Sequence, residues 1–167
     1  MPCPKVQITL EELSKQACRG LHAYRLPPHI TFYSDRLNSE ATAIDRLRHI
    51  AENSKPVLLR PRTIEAGPLF TMSVVLRFGA NKELNHWYQL LRARSPNKLD
   101  YNLDPHLSLI YSDEALIRKQ AMARQLPLPS PALFNRIRAV RHPLTISTAA
   151  DIKAVTTIDE SMLISMQ

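Results

Sequence analysis

Two tetrapeptides constrain this chain more than anything else in it. Pro28-His29-Ile30-Thr31 lies in the first quarter, and Pro105-His106-Leu107-Ser108 lies past the middle. Each carries a histidine, an apolar residue and a hydroxyl. Each runs on into an apolar, aromatic stretch, Phe32-Tyr33-Ser34 in one and Leu109-Ile110-Tyr111-Ser112 in the other. Residues two apart on a β-strand point to the same face. On strands, His29 would therefore project with Thr31 and His106 with Ser108, and two such strands facing a shared cleft would form a reactive site.

Chance accounts poorly for the pair. The other histidines, His22, His49, His86 and His142, have Tyr24, Ala51, Tyr88 and Leu144 at the same spacing, none of them Ser or Thr. Proline is only about 5% of average sequence, yet it precedes the histidine in both copies.

The order of expected elements also repeats. Thr9-Leu10-Glu11-Glu12 has the form of a capping box, and Leu10, Leu13, Ala17 and Leu21 follow at helical spacing, predicting a helix over 10–21. Before it only Val6 and Ile8 alternate, enough for a short strand at most. After the first histidine strand, a helix is predicted over 39–53. Strands at 57–65 and 69–78 follow, joined by Ala66-Gly67-Pro68, and then a helix over 82–94 that buries Leu84, Trp87, Tyr88 and Leu91. A loop at 95–105 leads to the second histidine strand. Ser112 or Asp113 is expected to cap a helix reaching Leu126, where Pro127, Pro129 and Pro131 end it; strands at 133–142 and 151–158 follow. Each histidine strand thus precedes a helix and two strands, and the N-terminal helix can stand for the second series as the 82–94 helix stands for the first. The expected fold is a single α+β domain over 1–167. It has two pseudo-symmetric lobes, each an antiparallel sheet with helices on its outer face, and an active-site cleft between them.

Composition excludes several alternatives. No apolar run reaches the length of a membrane span; the 69–78 stretch is broken by Thr71 and Ser73 and ends beside Arg77. The polar start of the chain does not read as a signal peptide, and Cys3 and Cys18 form no CxxC pattern, so reduced thiols and a cytoplasmic location are expected. A net charge of +7 favours anionic partners, but the basic residues are scattered in pairs. With only three glycines the chain has no phosphate-cradling Gly-rich loop, and no GxSxG is present. No third His, Cys, Asp or Glu stands at a recognisable zinc-ligand spacing from the two histidines, so neither metal nor cofactor is expected. His22, His49 and His86 read as surface or packing residues, whereas His142, beside Arg141, is the one to examine for phosphate contact.

Two His-x-Thr/Ser motifs, each behind a proline, resemble those of the two-histidine phosphoesterase superfamily. PHLSLIYS at 105–112 is most similar to the cyclic phosphodiesterase branch, in which a tyrosine follows the serine by three residues. The resemblance implies that His29 and His106 are the catalytic acid and base, and that Thr31 and Ser108 hold the phosphate. It implies metal-independent hydrolysis of 2',3'-cyclic or similar small cyclic phosphates. Tyr33 and Tyr111 are candidate substrate contacts or packing residues. Tyr33 has the parity of His29, whereas Tyr111, five residues after His106, falls on the opposite face unless a bulge turns it back.

The chemistry suits these residues. An imidazole with a pKa near 6.5 can serve as base in one copy and acid in the other near neutral pH, and hydroxyls can donate to phosphate oxygens as charge shifts. Which histidine is the base is open. The expected partner is a small cyclic-phosphate nucleotide, such as ADP-ribose cyclic phosphate, or an RNA 3' end, met by a monomer away from membranes. Alternatives are an RNA-end cyclic phosphodiesterase, a 2'-5' RNA ligase-like enzyme, or a non-catalytic nucleotide- or RNA-binding protein.

Overall fold

Arg60 and Asn135 each divide what the sequence reads as one strand, and the divided strands organise the molecule. The computed structural model describes residues 1–37, 39–95 and 102–164. Before Arg60 lies β1 (Val57–Leu59) and after it β2 (Pro61–Ala66); before Asn135 lies β5 (Ala132–Phe134) and after it β6 (Arg136–Arg141). β1 and β5 pair with each other, Val57 opposite Phe134 and Leu59 opposite Ala132, all four buried. Their alternate residues Leu58 and Leu133 face outward, as the two-residue period of a strand requires.

This short ribbon joins two lobes. In the first, β2, β3 (Val74–Phe78) and β4 (His106–Ile110) form an antiparallel sheet with β3 at its centre. α1 (Pro4–Ala17) packs on β4, and α4 (Leu116–Ala123) on β2 and β3. In the second, β6 pairs antiparallel with β7 (Thr156–Met162) beneath α2 (Glu40–Glu52). α3 (Lys82–Ala93) packs on the segment carrying His29, through Phe32 against Trp87 and Tyr33 against Tyr88, with ring centroids 5.5 and 6.1 Å apart. The α+β class and two-lobed arrangement match the expectation from sequence. The lobes are interleaved, however: β4 comes from the second half of the chain and completes a sheet begun in the first.

Side chains explain this arrangement. Val74, Leu76, Leu107 and Ile110 are wholly buried, and removing such a side chain from water stabilises the fold by about 1.5–3 kcal/mol each. At the β2–β3 turn, a Cβ on Gly67 would stand 2.7 Å from the Met72 carbonyl oxygen. Only glycine lets the backbone pass so closely.

Several elements depart from the sequence reading. The helix predicted over 10–21 begins at Pro4, behind Cys3 as N-cap, because proline suits the first helical turn. Thr9 therefore lies inside α1, within 3.5 Å of the Lys5 carbonyl, and forms no capping box; Val6 and Ile8 are helical and no N-terminal strand forms. The first half of the 69–78 stretch is a 3-10 turn, Phe70–Met72. α4 starts behind Ala115, because Ser112 is buried, its hydroxyl donates to the His22 carbonyl and its amide donates to the Ser73 hydroxyl oxygen. Residues 151–158 are not one strand. A capping box formed by Thr148 and Asp151 starts α5 (Ala149–Lys153), and β7 follows it. The loop expected at 95–105 lies largely outside the described residues. No helix among the described residues is long and apolar enough to cross a membrane.

Candidate active site

His106 is the first residue of β4, and the strand alternation brings Ser108 to the same face. The first histidine is placed differently. Residues 25–37 carry no strand ladder, which corrects the expectation of two histidine strands. Pro27 and Pro28 have no N–H to give a sheet, and the Asp35 carboxylate takes the Arg36 amide beside it, a local bond that competes with pairing. The segment is anchored upstream, where Tyr24 and Tyr111 exchange two backbone hydrogen bonds of 2.9 Å.

From that anchor the segment runs to the second lobe, and His29, Thr31, His106 and Ser108 all line one cleft of about 500 Å³. The two rings are held alike. His29 Nδ1 lies 2.7 Å from the Pro27 carbonyl, and His106 Nδ1 lies 2.7 Å from the Asp104 carbonyl. A carbonyl only accepts, so each Nδ1 carries a proton and Nε2 is left as the ring nitrogen for a substrate.

Their electrostatic surroundings differ. Burial lowers the His29 pKa, the Pro27 hydrogen bond partly offsets this, and the Met1 amino group, His106 and Arg138 lower it further. His106 instead has the Asp104 carboxylate 3.6 Å from Nδ1, with Arg77 bound to both Asp104 and Glu65. Arg77 reaches these acids from β3, where it stands directly opposite His106 in the strand register.

Tyr111 does face the cleft. On β3, Val75 pairs with Ser108 and Val74 with Ile110, leaving Leu109 as an extra residue on β4. This bulge reverses the parity beyond it, so Tyr111 lines the cleft with His106 and Ser108. Its phenol is hydrogen-bonded with Ser108, and burial pushes its pKa up to about 12, keeping the O–H protonated at working pH. Ser108 donates its own proton to the Thr71 carbonyl at 2.7 Å. Tyr33 both lines the cleft and packs on Tyr88.

Sequence reasoning did not single out the arginines that line this cleft, Arg46, Arg136 and Arg138. Arg138 lines it and acts on His29; its Nε donates to Glu160 at 2.6 Å. Burial alone would raise the Glu160 carboxyl, but Arg138 and Arg136 outweigh it and hold the carboxyl below its usual range. Arg136 also binds the Pro2 carbonyl and Gln7, which leaves Arg138 as the less committed of the two. Their i, i+2 spacing on a strand was the available signal. Apolar residues line the cleft as well, Leu47, Leu84 and Trp87 among them. The buried Trp87 Nε1 has no hydrogen-bond partner among the described residues. No group of three or more His, Cys, Asp or Glu among the described residues is arranged to hold a metal ion.

A family model described as the 2'-5' RNA ligase superfamily matches residues 2–143, a span holding both histidine motifs. The chain belongs to that superfamily. The resemblance to two-histidine phosphoesterases is thereby borne out, and membership supports phosphoesterase chemistry in general terms. Among solved structures, the chain is similar to TT0787 of Thermus thermophilus. The TM-score is 0.61, with 96% of this chain and 93% of that chain covered at 18% identity. At that identity the likeness speaks for the superfamily's fold alone. No curated protein matches the chain.

Proposed function

We propose that this protein hydrolyses a cyclic phosphodiester, a 2',3'-cyclic nucleotide or ADP-ribose cyclic phosphate, to a phosphomonoester without a metal ion. One observation carries this: two imidazoles from different lobes line one cleft, each with Nδ1 bound to its own backbone and Nε2 left for a substrate.

The asymmetry of their surroundings supports distinct roles. His29, whose charged form burial and, more weakly, Arg138 disfavour, is the general base. His106, beside the Asp104 carboxylate, is the general acid. The oxygen of a water molecule bonds to phosphorus as its proton passes to His29 Nε2. The bond from phosphorus to one ribose oxygen breaks, and that oxygen takes the proton from His106 Nε2. Exchange with solvent then restores both rings. Thr31, the Tyr111 phenol and Arg138 are the donors to the phosphate oxygens, whose charge redistributes in the transition state. Ser108 joins them by turning its hydroxyl away from Thr71. The apolar lining suits the ribose and base.

Incubation with a panel of 2',3'-cyclic nucleotides and ADP-ribose cyclic phosphate in EDTA, with product analysis, tests the reading. Turnover to a phosphomonoester is expected. No turnover of any substrate would favour a non-catalytic binding protein, and turnover abolished by EDTA would sink the metal-free mechanism.

A further inference from the structure

Ser34 and His142 meet in the same cleft although 108 positions separate them, with Ser34 Oγ lying 3.3 Å from His142 Nε2. His142 Nδ1 donates to the Pro143 carbonyl at 2.7 Å, so Nε2 is the acceptor of the Ser34 proton. This repeats the design of the other two histidines: Nδ1 held by a backbone carbonyl, Nε2 turned to the shared cavity. No sequence motif encodes the third pair. The fold assembles it from the His29 segment and the residue that follows β6.

Its place relative to the first site follows from the chain. Ser34 lies five residues beyond His29, at most about 17 Å away at the rise of a strand. His142 lies four residues beyond Arg138, at most about 14 Å away. The neighbouring charges are accounted for: Asp35, next to Ser34, is bound to Arg46, and Arg141, next to His142, is bound to Glu40. The cleft thus holds, besides His29, His106 and Arg138, a second imidazole and hydroxyl that the proposed chemistry at a single phosphorus does not use. A second phosphate there would accept from the Ser34 hydroxyl and from Nε2 of a protonated His142, two charge-assisted bonds.

We propose that Ser34 and His142 form a second phosphate subsite, through which the cleft prefers cyclic phosphate esters that carry a further phosphate. This rests on the cyclic-phosphodiesterase reading above. Two sources share that chemistry, an RNA strand ending in a cyclic phosphate and a pyrophosphate-linked nucleotide such as ADP-ribose cyclic phosphate.

The test compares kcat/KM for three substrates: a 2',3'-cyclic mononucleotide, a trinucleotide ending in a 2',3'-cyclic phosphate, and ADP-ribose cyclic phosphate. Each is measured with the unaltered protein and with His142→Ala and Ser34→Ala. The unaltered protein should favour at least one substrate with a further phosphate. His142→Ala should lower kcat/KM for that substrate about tenfold more than for the mononucleotide, chiefly through KM, as loss of a charged hydrogen bond requires. Which of the two substrates suffers identifies the source. Equal losses on all three, or no loss on any, would overturn the subsite. A binding arm separates this from failure of the catalytic reading. If no substrate is turned over, anisotropy of a 5'-labelled trinucleotide ending in a 3'-phosphate decides alone. Binding about tenfold weaker in His142→Ala keeps the subsite and discards the hydrolase. Equal or absent binding discards both.

Discussion

The Asp104 carboxylate stands 3.6 Å from Nδ1 of His106, while its backbone carbonyl holds the same nitrogen at 2.7 Å. His29 has the carbonyl contact from Pro27 but, among the described residues, no corresponding carboxylate. The two copies of the motif are therefore alike in tautomer and differ in the charge placed beside the ring, the difference on which the proposed assignment of the acid to His106 rests. Asp104→Asn keeps the carbonyl contact and removes the charge that stabilises the imidazolium, leaving Arg77 with one fewer acid. Loss of such an orienting partner typically costs 10–100-fold at histidine ligands. A fall in kcat of about tenfold or more is expected. An unchanged kcat would take Asp104 out of the mechanism.

Replacement of either ring tests the acid and base directly. His29→Ala and His106→Ala should each lower kcat by roughly 10²–10⁴, the usual contribution of a positioned proton donor or acceptor. Circular dichroism on the same preparations shows whether the fold is retained. A variant that keeps its fold and full rate would remove that histidine from the reaction.

The lowered pKa of His29 sets the acid side of the profile. Burial, with a smaller contribution from Arg138, lowers its pKa below the ordinary imidazole range, so the acid limb of kcat/KM should lie below pH 6.5, the unperturbed value. Arg138→Ala removes that cation and should move the limb to higher pH while raising KM. The same group links stability to pH. Because the folded state holds the proton more weakly than the unfolded chain, its contribution is full above about pH 6.5 and is lost as pH falls toward the folded value. Urea midpoints measured between pH 5 and 7.5 should rise with pH by less in His29→Gln than in the unaltered protein.

Tyr111 reaches the cleft only because Leu109 bulges from β4. Tyr111→Phe preserves the buried ring and removes the hydrogen bond with Ser108. A neutral hydrogen bond is worth about 0.5–1.5 kcal/mol, so stability should change by about that much. If the phenol also donates to the phosphate, kcat should fall about tenfold with KM little altered. A rate equal to that of the unaltered protein would make Tyr111 a packing residue.

The quartet at the cleft could be read from sequence because it lies in two short, nearly identical strings whose chemistry is local. The helices over 40–52 and 82–93 were legible for a similar reason, since their apolar residues keep a helical period. The departures arise where distant residues decide. Arg60 and Asn135 break strands so that β1 can find β5 across the molecule. The parity of Tyr111 is set by pairing with β3 rather than by spacing from His106. Arg138 was visible only as one of many scattered basic residues, and its sharing a cleft with His29 depends on a segment that joins no sheet. The join of Ser34 to His142 has no signature in either stretch.

The central strand offers a way to separate stability from chemistry. Leu76 is wholly buried on β3, opposite Leu107 on one side and Ile64 on the other. Leu76→Ala leaves a cavity in a sheet flanked on both sides, where collapse is hard, and such substitutions cost about 2–5 kcal/mol. Leu144, exposed at 74%, provides the control, since a surface change of this kind usually stays within about 0.5 kcal/mol. Urea unfolding should show a large fall in midpoint for Leu76→Ala at constant slope and almost none for Leu144→Ala. At low temperature, where the core variant is still folded, kcat should remain within a few-fold of the unaltered protein, because Leu76 is not among the residues that line the cleft. A loss of activity as great as that of the histidine variants, in protein that is demonstrably folded, would mean that the β3–β4 register itself tunes the position of His106.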